Sequence, residues 1–312
     1  MERDEQRLLN EKYGGAVGFA DRAAFERDRA RLAAGEPLSY VIGWQPFLGL
    51  TIWLDSKPLI PRPETEWWTE QLLTAMQRSG AEYPEASAAE HTASPRAVAA
   101  RVFEGGAGTV GHSYGRRAER GRVRRLAGAP TRLPGTPLRE APLRFLDLCA
   151  GSGAVGCAAL ARLPDAHVSF GELDPLHEAT IRKNIRENGL DAERADVRIG
   201  DLFEPFGDRS FDVIAANPPY IPTGRALDRS VTEYEPHGAL FSGPDGLEVI
   251  RRIAEELPRR LNQGGAAWIE VDSAHAEVAR ALFKASGCVA TLIPDQYGVP
   301  RVIVVGPGAI RG

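Results

Sequence analysis

The chain has 312 residues, 43% of them hydrophobic and 26% charged, which is enough to bury one large core with an appendage, or two modest domains. A formal net charge of -4 leaves no global basic footprint, so tight non-specific binding of nucleic acid is not expected. The charged start Met1-Glu2-Arg3-Asp4-Glu5 leads into no apolar run and no stretch approaches the ~20 apolar residues of a spanning helix, so neither a secretory leader nor a membrane partner is expected.

In chain order, residues 1–34 carry scattered apolar positions (Leu8, Leu9, Phe19, Phe25, Leu32) among charges. These predict two short helices, ended by Gly35-Glu36-Pro37. Residues 1–43 are thus read as a small helical region. Aromatic and β-branched residues around Gly49, from Trp44 to Leu54, predict a hairpin. Pro61-Arg62-Pro63-Glu64-Thr65-Glu66 then opens a helix, with Glu64 and Glu66 suited to its positive end. Hairpin and helix occupy 44–79.

Residues 80–142 are rich in Ala, Gly, Pro and Arg and lack apolar periodicity, so they are read as an inserted, disordered segment. Its clustered arginines (Arg116, Arg117, Arg120, Arg122, Arg124, Arg125) make it the one segment that could touch RNA or a ribosomal partner.

From 143 to 312 strands and helices alternate. Strands are predicted at Leu143–Leu148, His167–Glu172, Val197–Ile199, Phe211–Ala216 and Ala266–Val271, with two more flanking Tyr297-Gly298. Helices are predicted over 153–163, 176–188, 247–261 and 274–285. This alternation implies an α/β fold with a doubly wound, mostly parallel sheet, and the last two strands imply an antiparallel edge.

Asp147-Leu148-Cys149-Ala150-Gly151-Ser152-Gly153 ends the first of these strands and opens a helix. Glycines there let a ligand approach the backbone. The run is neither a dinucleotide GxGxxG nor a phosphate-binding P-loop. Glu172, at the end of the next strand and roughly 20 residues on, is placed to accept both hydroxyls of a ribose. Asp201 follows the third strand, where it could accept adenine amino hydrogens while Leu202 packs on the ring. Ligand groups on three successive strand ends fit one adenosyl group.

Asn217-Pro218-Pro219-Tyr220 closes the fourth strand. Prolines lack the N–H needed to continue pairing but form a rigid support. The Asn217 side-chain oxygen and the Pro218 carbonyl can both accept from one NH2 group, turning its nitrogen lone pair toward a sulfonium methyl. Tyr220 can cover the planar group and favour the charge developing on nitrogen. Asn217, Pro218 and Tyr220 are therefore the catalytic candidates, and Pro219 completes the substrate loop.

With these residues in place the chain resembles the release-factor glutamine methyltransferases. The resemblance covers about 35–80 and 143–306. Asn217-Pro-Pro-Tyr220 is shared with adenine-N6 methyltransferases, so an RNA or DNA adenine enzyme is the alternative. Narrower signals are Gly35-Glu-Pro-Leu-Ser-Tyr-Val-Ile-Gly43, Leu59-Ile-Pro-Arg-Pro-Glu-Thr-Glu66, Tyr234-Glu-Pro236, Gly243-Pro-Asp-Gly-Leu247 and Asp295-Gln-Tyr-Gly298-Val-Pro-Arg301. The resemblance implies a class I (Rossmann-like) fold with a seven-stranded sheet. It implies S-adenosylmethionine as methyl donor, held by Cys149 to Gly153, Glu172 and Leu202, with Asp147, Asp201 and Asn217 also assigned to that site. It further implies substrate contacts at Asn217 to Tyr220 and a cytoplasmic release factor as partner. Four departures stand out, the first being that the 80–142 insert falls where the family has a short connection. The helical region before Pro63 is short, Cys149 occupies a position where glycine is commonest, and the acid-glycine step after the fifth strand reads Glu270-Val271-Asp272. Cys149, Cys157 and Cys288 have no metal-ligand spacing, so reduced thiols and no metal are expected.

Overall fold

The computed structural model describes residues 2–79 and 141–308; the insert read over 80–142, with its arginine cluster, lies outside the described residues save for its last two. Apolar side chains alternate along the central strands, as burial on two faces requires. In β3 (Leu143–Leu148), Phe145 packs with the cluster on one face and Leu146 and Leu148 with the other. The same division separates Val213 and Ala215 from Ile214 and Ala216 in β6 (Phe211–Ala216), and Trp268 from Ile269 in β7 (Leu261–Glu270).

With β4 (Ala166–Glu172), β5 (Ala195–Ile199), β8 (Val289–Pro294) and β9 (Pro300–Gly306), these strands form one seven-stranded sheet in the order β5-β4-β3-β6-β7-β9-β8. β9 runs antiparallel to both β7 and β8, and the other pairings are parallel. This is the doubly wound sheet with an antiparallel edge that the alternation predicts. The order reverses direction between β3 and β6, the switch point at which such sheets bind ligands beyond their carboxyl ends.

One face is covered by α4 (Pro63–Ser79), α5 (Ala154–Arg162) and α6 (Glu178–Glu187). The other is covered by α8 (Glu248–Arg260) and α9 (Ala276–Ala285). On α8 the buried residues Ile250, Ile253, Ala254 and Leu257 follow the i, i+3, i+4, i+7 spacing of a helix laid on a sheet. Ahead of the sheet come α1 (Glu2–Tyr13), α2 (Arg22–Ala33), the short α3 (Leu38–Ile42), and a hairpin of β1 (Trp44–Phe47) and β2 (Leu50–Trp53). The two-residue hairpin turn places both Leu48 (φ 47) and Gly49 (φ 84) in the left-handed region, the requirement of a type I′ turn.

Several bounds differ from the sequence reading for local reasons. The helices expected from 176 and 274 each begin with a 3-10 turn, because Asp174 and Asp272 accept from the N–H two residues on, at Leu176 and Ala274. The strand expected from Ala266 starts at Leu261 and runs through Gly264-Gly265, with a register shift against β6 between Phe211 and Val213. The short helices α3 and α7 (Arg229–Tyr234) have too few turns to leave a periodic signal. No helix among the described residues is long and apolar enough to cross a membrane.

Candidate active site

The predicted site residues converge at the carboxyl ends of β3, β4, β5 and β6, around the switch point. Beyond β3 the chain turns through Cys149 (φ 60), Gly151 (φ 56) and Gly153 (φ 76) before entering α5. Two bonds fix this loop from beneath: the Ala150 N–H donates to the Gly171 carbonyl (3.0 Å) and the Gly153 N–H to the Ala150 carbonyl (2.7 Å). The Ser152 carbonyl accepts from the buried Asn184 side chain on α6 (2.8 Å), and Ser152 itself is buried. Gly156, one turn into α5, lies against the Phe170 ring so closely that a Cβ there would come within 2.2 Å of it. The helix can therefore seat on β4 only without a side chain at that position.

Glu172, at the end of β4, is the polar anchor of the loop. Its two carboxylate oxygens accept from the Gly151 N–H (2.7 Å) and the Asp174 N–H (2.9 Å). Leu202, after β5, is buried against the core and holds φ 46. Left-handed conformations at non-glycine residues cost about 1–3 kcal/mol each and cluster at functional sites. Here Cys149 and Leu202 stand just beyond the carboxyl ends of β3 and β5.

Two acids are placed differently from the rest. Asp147 is turned into the protein, 3% exposed, and accepts from the Gly156 N–H (2.8 Å). Burial pushes its carboxyl up to about 8, and its Oδ2 ties the end of β3 to the start of α5. Asp201 is paired with Arg252 of α8 (2.6 Å), so its Oδ2 is already engaged by a cation.

The Asn217–Tyr220 segment leaves β6 with Pro218 buried and its neighbours half-buried. The Asn217 side-chain nitrogen donates to the Thr65 hydroxyl (3.1 Å), and that hydroxyl donates to Glu270 at the end of β7 (2.7 Å). Trp68 Nε1 (2.6 Å) and the Tyr220 hydroxyl (3.0 Å) donate to the same carboxylate. Burial raises the Glu270 carboxyl above its ordinary range, and the adjacent carboxylate raises the Tyr220 phenol further. Behind the segment, residues 221–223 pair with 240–243. There Gly246 (φ 77) presses so close that a Cβ would lie 2.4 Å from the Tyr220 carbonyl, a contact only glycine allows. Glu235 holds the upstream segment, accepting from the Ile60 N–H and the Arg62 guanidinium. Among the described residues, no three His, Cys, Asp or Glu side chains are grouped to hold a metal ion.

The methyltransferase small domain family matches residues 135–234. The release factor glutamine methyltransferase of Geobacter sulfurreducens is 31% identical over 277 residues, covering 88% of this chain and 74% of that protein. The chain belongs to the release factor glutamine methyltransferase family. Membership of that family makes it an S-adenosylmethionine-dependent methyltransferase. A ribosomal protein uL3 glutamine methyltransferase from Bradyrhizobium diazoefficiens is 38% identical over 129 residues, 41% of this chain and 40% of that protein. Among solved structures, a methyltransferase from Pyrococcus furiosus is similar at 19% identity and a TM-score of 0.40, covering 53% of this chain and 74% of that one.

For a member of this family, three residues of the site carry no independent signal in the sequence. Thr65 sits inside a helix-opening segment read for its acidic neighbours, Trp68 follows in the same helix with no motif of its own, and Glu270 opens the Glu270-Val271-Asp272 step that departs from the family's pattern. Glu270 does occupy the end of a sheet strand, the position that carries Glu172 on β4. An acid at the carboxyl end of a sheet strand is the feature that marks Glu270 in the sequence.

Proposed function

We propose that this chain transfers a methyl group from S-adenosylmethionine to the side-chain amide nitrogen (N5) of the glutamine in the Gly-Gly-Gln motif of a peptide chain release factor. The observation that carries this reading is the orientation of Asn217. Its NH2 is committed to Thr65, which leaves its oxygen available as an acceptor. Family membership favours glutamine over the adenine nitrogen that the same loop would accept.

The methyl donor fits the crevice at Cys149 to Gly153, whose backbone a ligand can approach, with Glu172 as ribose acceptor and Leu202 beside the base. Leu173 and Leu176, 63% and 70% exposed just beyond Glu172, add apolar surface suited to a planar ring. The donor would supply an activated, electrophilic methyl group, its bond to sulfur breaking as the bond to nitrogen forms, and the nitrogen would give up one proton to water. The Asn217 oxygen and the Pro218 carbonyl accept the two hydrogens of the glutamine amide, which orients its nitrogen. The amide nitrogen is a weak nucleophile, so the rate comes from alignment and from carbonyl dipoles aimed at the charge developing there. The Tyr220 ring covers the same face of the amide.

The test is incubation of the full chain with labelled donor and either a release factor or the ribosomal protein uL3. Label on the Gly-Gly-Gln glutamine, lost when that glutamine is changed to alanine, is the expected result. Equal labelling of the alanine factor, or label on uL3 alone, would overturn the assignment.

A further inference from the structure

The contacts joining the Pro63–Glu66 segment to Asn217 have a polarity. We propose that Thr65 is a positioning residue that holds the Asn217 amide with its oxygen turned toward the substrate, with Glu270 as the anchor. This rests on the reading of Asn217 as acceptor for the substrate amide.

Thr65 is 4% exposed and Glu270 2% exposed, so neither hydrogen-bonds freely with water. A hydroxyl has one proton to give. In Thr65 it goes to Glu270 Oε2, an oxygen that also accepts from Trp68 Nε1, a group that can only donate. What Thr65 Oγ1 then presents to Asn217 is a lone pair, 3.1 Å from Nδ2. Only the NH2 end of an amide can satisfy that position. Rotating the amide by half a turn would set oxygen against oxygen without a hydrogen between them, and would leave buried acceptors unpaired. It would also present an NH2 to the NH2 of the substrate, donor against donor. The chain from Glu270 through Thr65 therefore selects one of two amide orientations that are otherwise nearly equal in shape.

The other carboxylate oxygen of Glu270 accepts from Tyr220. One buried acid thus holds both ends of the Asn217–Tyr220 segment, one end directly and the other through Thr65. This gives a chemical reason for a threonine inside the Pro-Glu-Thr-Glu segment, far upstream of the residues that would touch substrate.

The test compares Thr65→Val, which keeps the shape and loses the hydroxyl, with Thr65→Ser, which restores it. For the valine variant kcat should fall roughly 10²-fold, the scale of a misplaced reacting group, while KM for the release factor and Kd for S-adenosylmethionine stay near wild type. Thr65→Ser should recover most of kcat. Thr65→Ala should give the same split should the valine variant fail to fold. A second readout needs no substrate: the side-chain NH2 signals of Asn217 in 15N-labelled protein, identified by their loss in Asn217→Asp. They should be well separated and slow to exchange in wild type and Thr65→Ser, and broadened or fast-exchanging in Thr65→Val. Unchanged kcat in Thr65→Val and Thr65→Ala, or no rescue by serine, overturns the proposal. Should wild type fail to label the release factor, the substrate assignment fails by itself. The NH2 signals then decide the positioning role, and their indifference to Thr65→Val overturns it.

Discussion

At the scale of single residues, side chains around the crevice divide into those that would meet a ligand and those that hold the first group still. Asn217 belongs to the first. Asn217→Ala should lower kcat by roughly 10²–10³-fold, the loss seen when one preorganised polar group is removed from a reacting centre. Binding of S-adenosylmethionine, measured by calorimetry, should change little, because the loop at Cys149 to Gly153 is held by other bonds. A parallel loss of donor affinity would instead place Asn217 chiefly in the donor site. Asp147 has a part in the second: it is buried, and its Oδ2 accepts from the Gly156 N–H at the start of α5. Spacing along a strand end locates an acid but does not say which way its carboxylate points.

At the scale of elements, the hairpin is joined to the sheet domain by side chains that imitate a strand. The open edge of β2 offers the N–H and C=O of Thr51 and of Trp53. Asn188 accepts from Thr51 N–H (3.0 Å) and donates to its carbonyl (2.9 Å), while Asn184 does the same for Trp53 (2.7 and 3.1 Å). Asn184 also reaches the Ser152 carbonyl. Asn184→Leu would leave three backbone groups unpaired, each worth about 1–3 kcal/mol when buried. It should destabilise the protein by about 3 kcal/mol or more in urea unfolding and weaken donor binding as well. A shift in stability with no change in donor affinity would mean the Ser152 contact does not shape the loop.

A second junction, at α2, is ionic. Arg31 grips Glu36 with two bonds of 2.8 Å, and Lys57, just past the hairpin, adds a third at 2.9 Å. Arg31 foremost, helped by Lys57, holds the Glu36 carboxyl down at about 2 against an ordinary value of 4.5. A depressed carboxyl contributes stability that is complete above its unfolded value and is lost as pH falls toward its folded one. The gap in urea midpoint between wild type and Glu36→Gln should therefore be full at pH 7 and shrink progressively below pH 4.5. A gap that stays constant down to pH 3 would assign the effect to packing and not to charge. These junctions were invisible to periodicity, which reports which residues face a core but not which polar groups meet across elements. The hairpin itself, by contrast, was legible from aromatic and β-branched residues around Gly49.

At the scale of the whole molecule, the parallel sheet follows from the alternation of strands and helices, and its antiparallel edge from the short turn at Tyr297-Gly298 that joins the last two strands. What the sequence does not reveal is the closure of the site by distant segments. Thr65 and Glu270, joined by one hydrogen bond, stand 205 residues apart, and no local pattern links them. That closure also bears on residues 80–142, read from the sequence as an insert between α4 and β3. Thr65 and Trp68 come from before it; Glu172, Asn217, Tyr220 and Glu270 come from after it. Every bond described above between those two groups is made by residues outside the insert. Replacing residues 85–140 by a short flexible linker should therefore leave kcat on a release factor within about twofold of wild type, since the groups aligned at the reacting centre are untouched. If the insert carried part of the docking surface, KM for the release factor would rise while kcat held, which is the loss of binding shared by ground and transition states. If its arginines engaged RNA, the full chain would bind RNA with a steep salt dependence that the deletion abolishes. A collapse of kcat itself would show that the two halves of the site need the insert to stay aligned. That result would contradict the closure through Thr65 and Glu270.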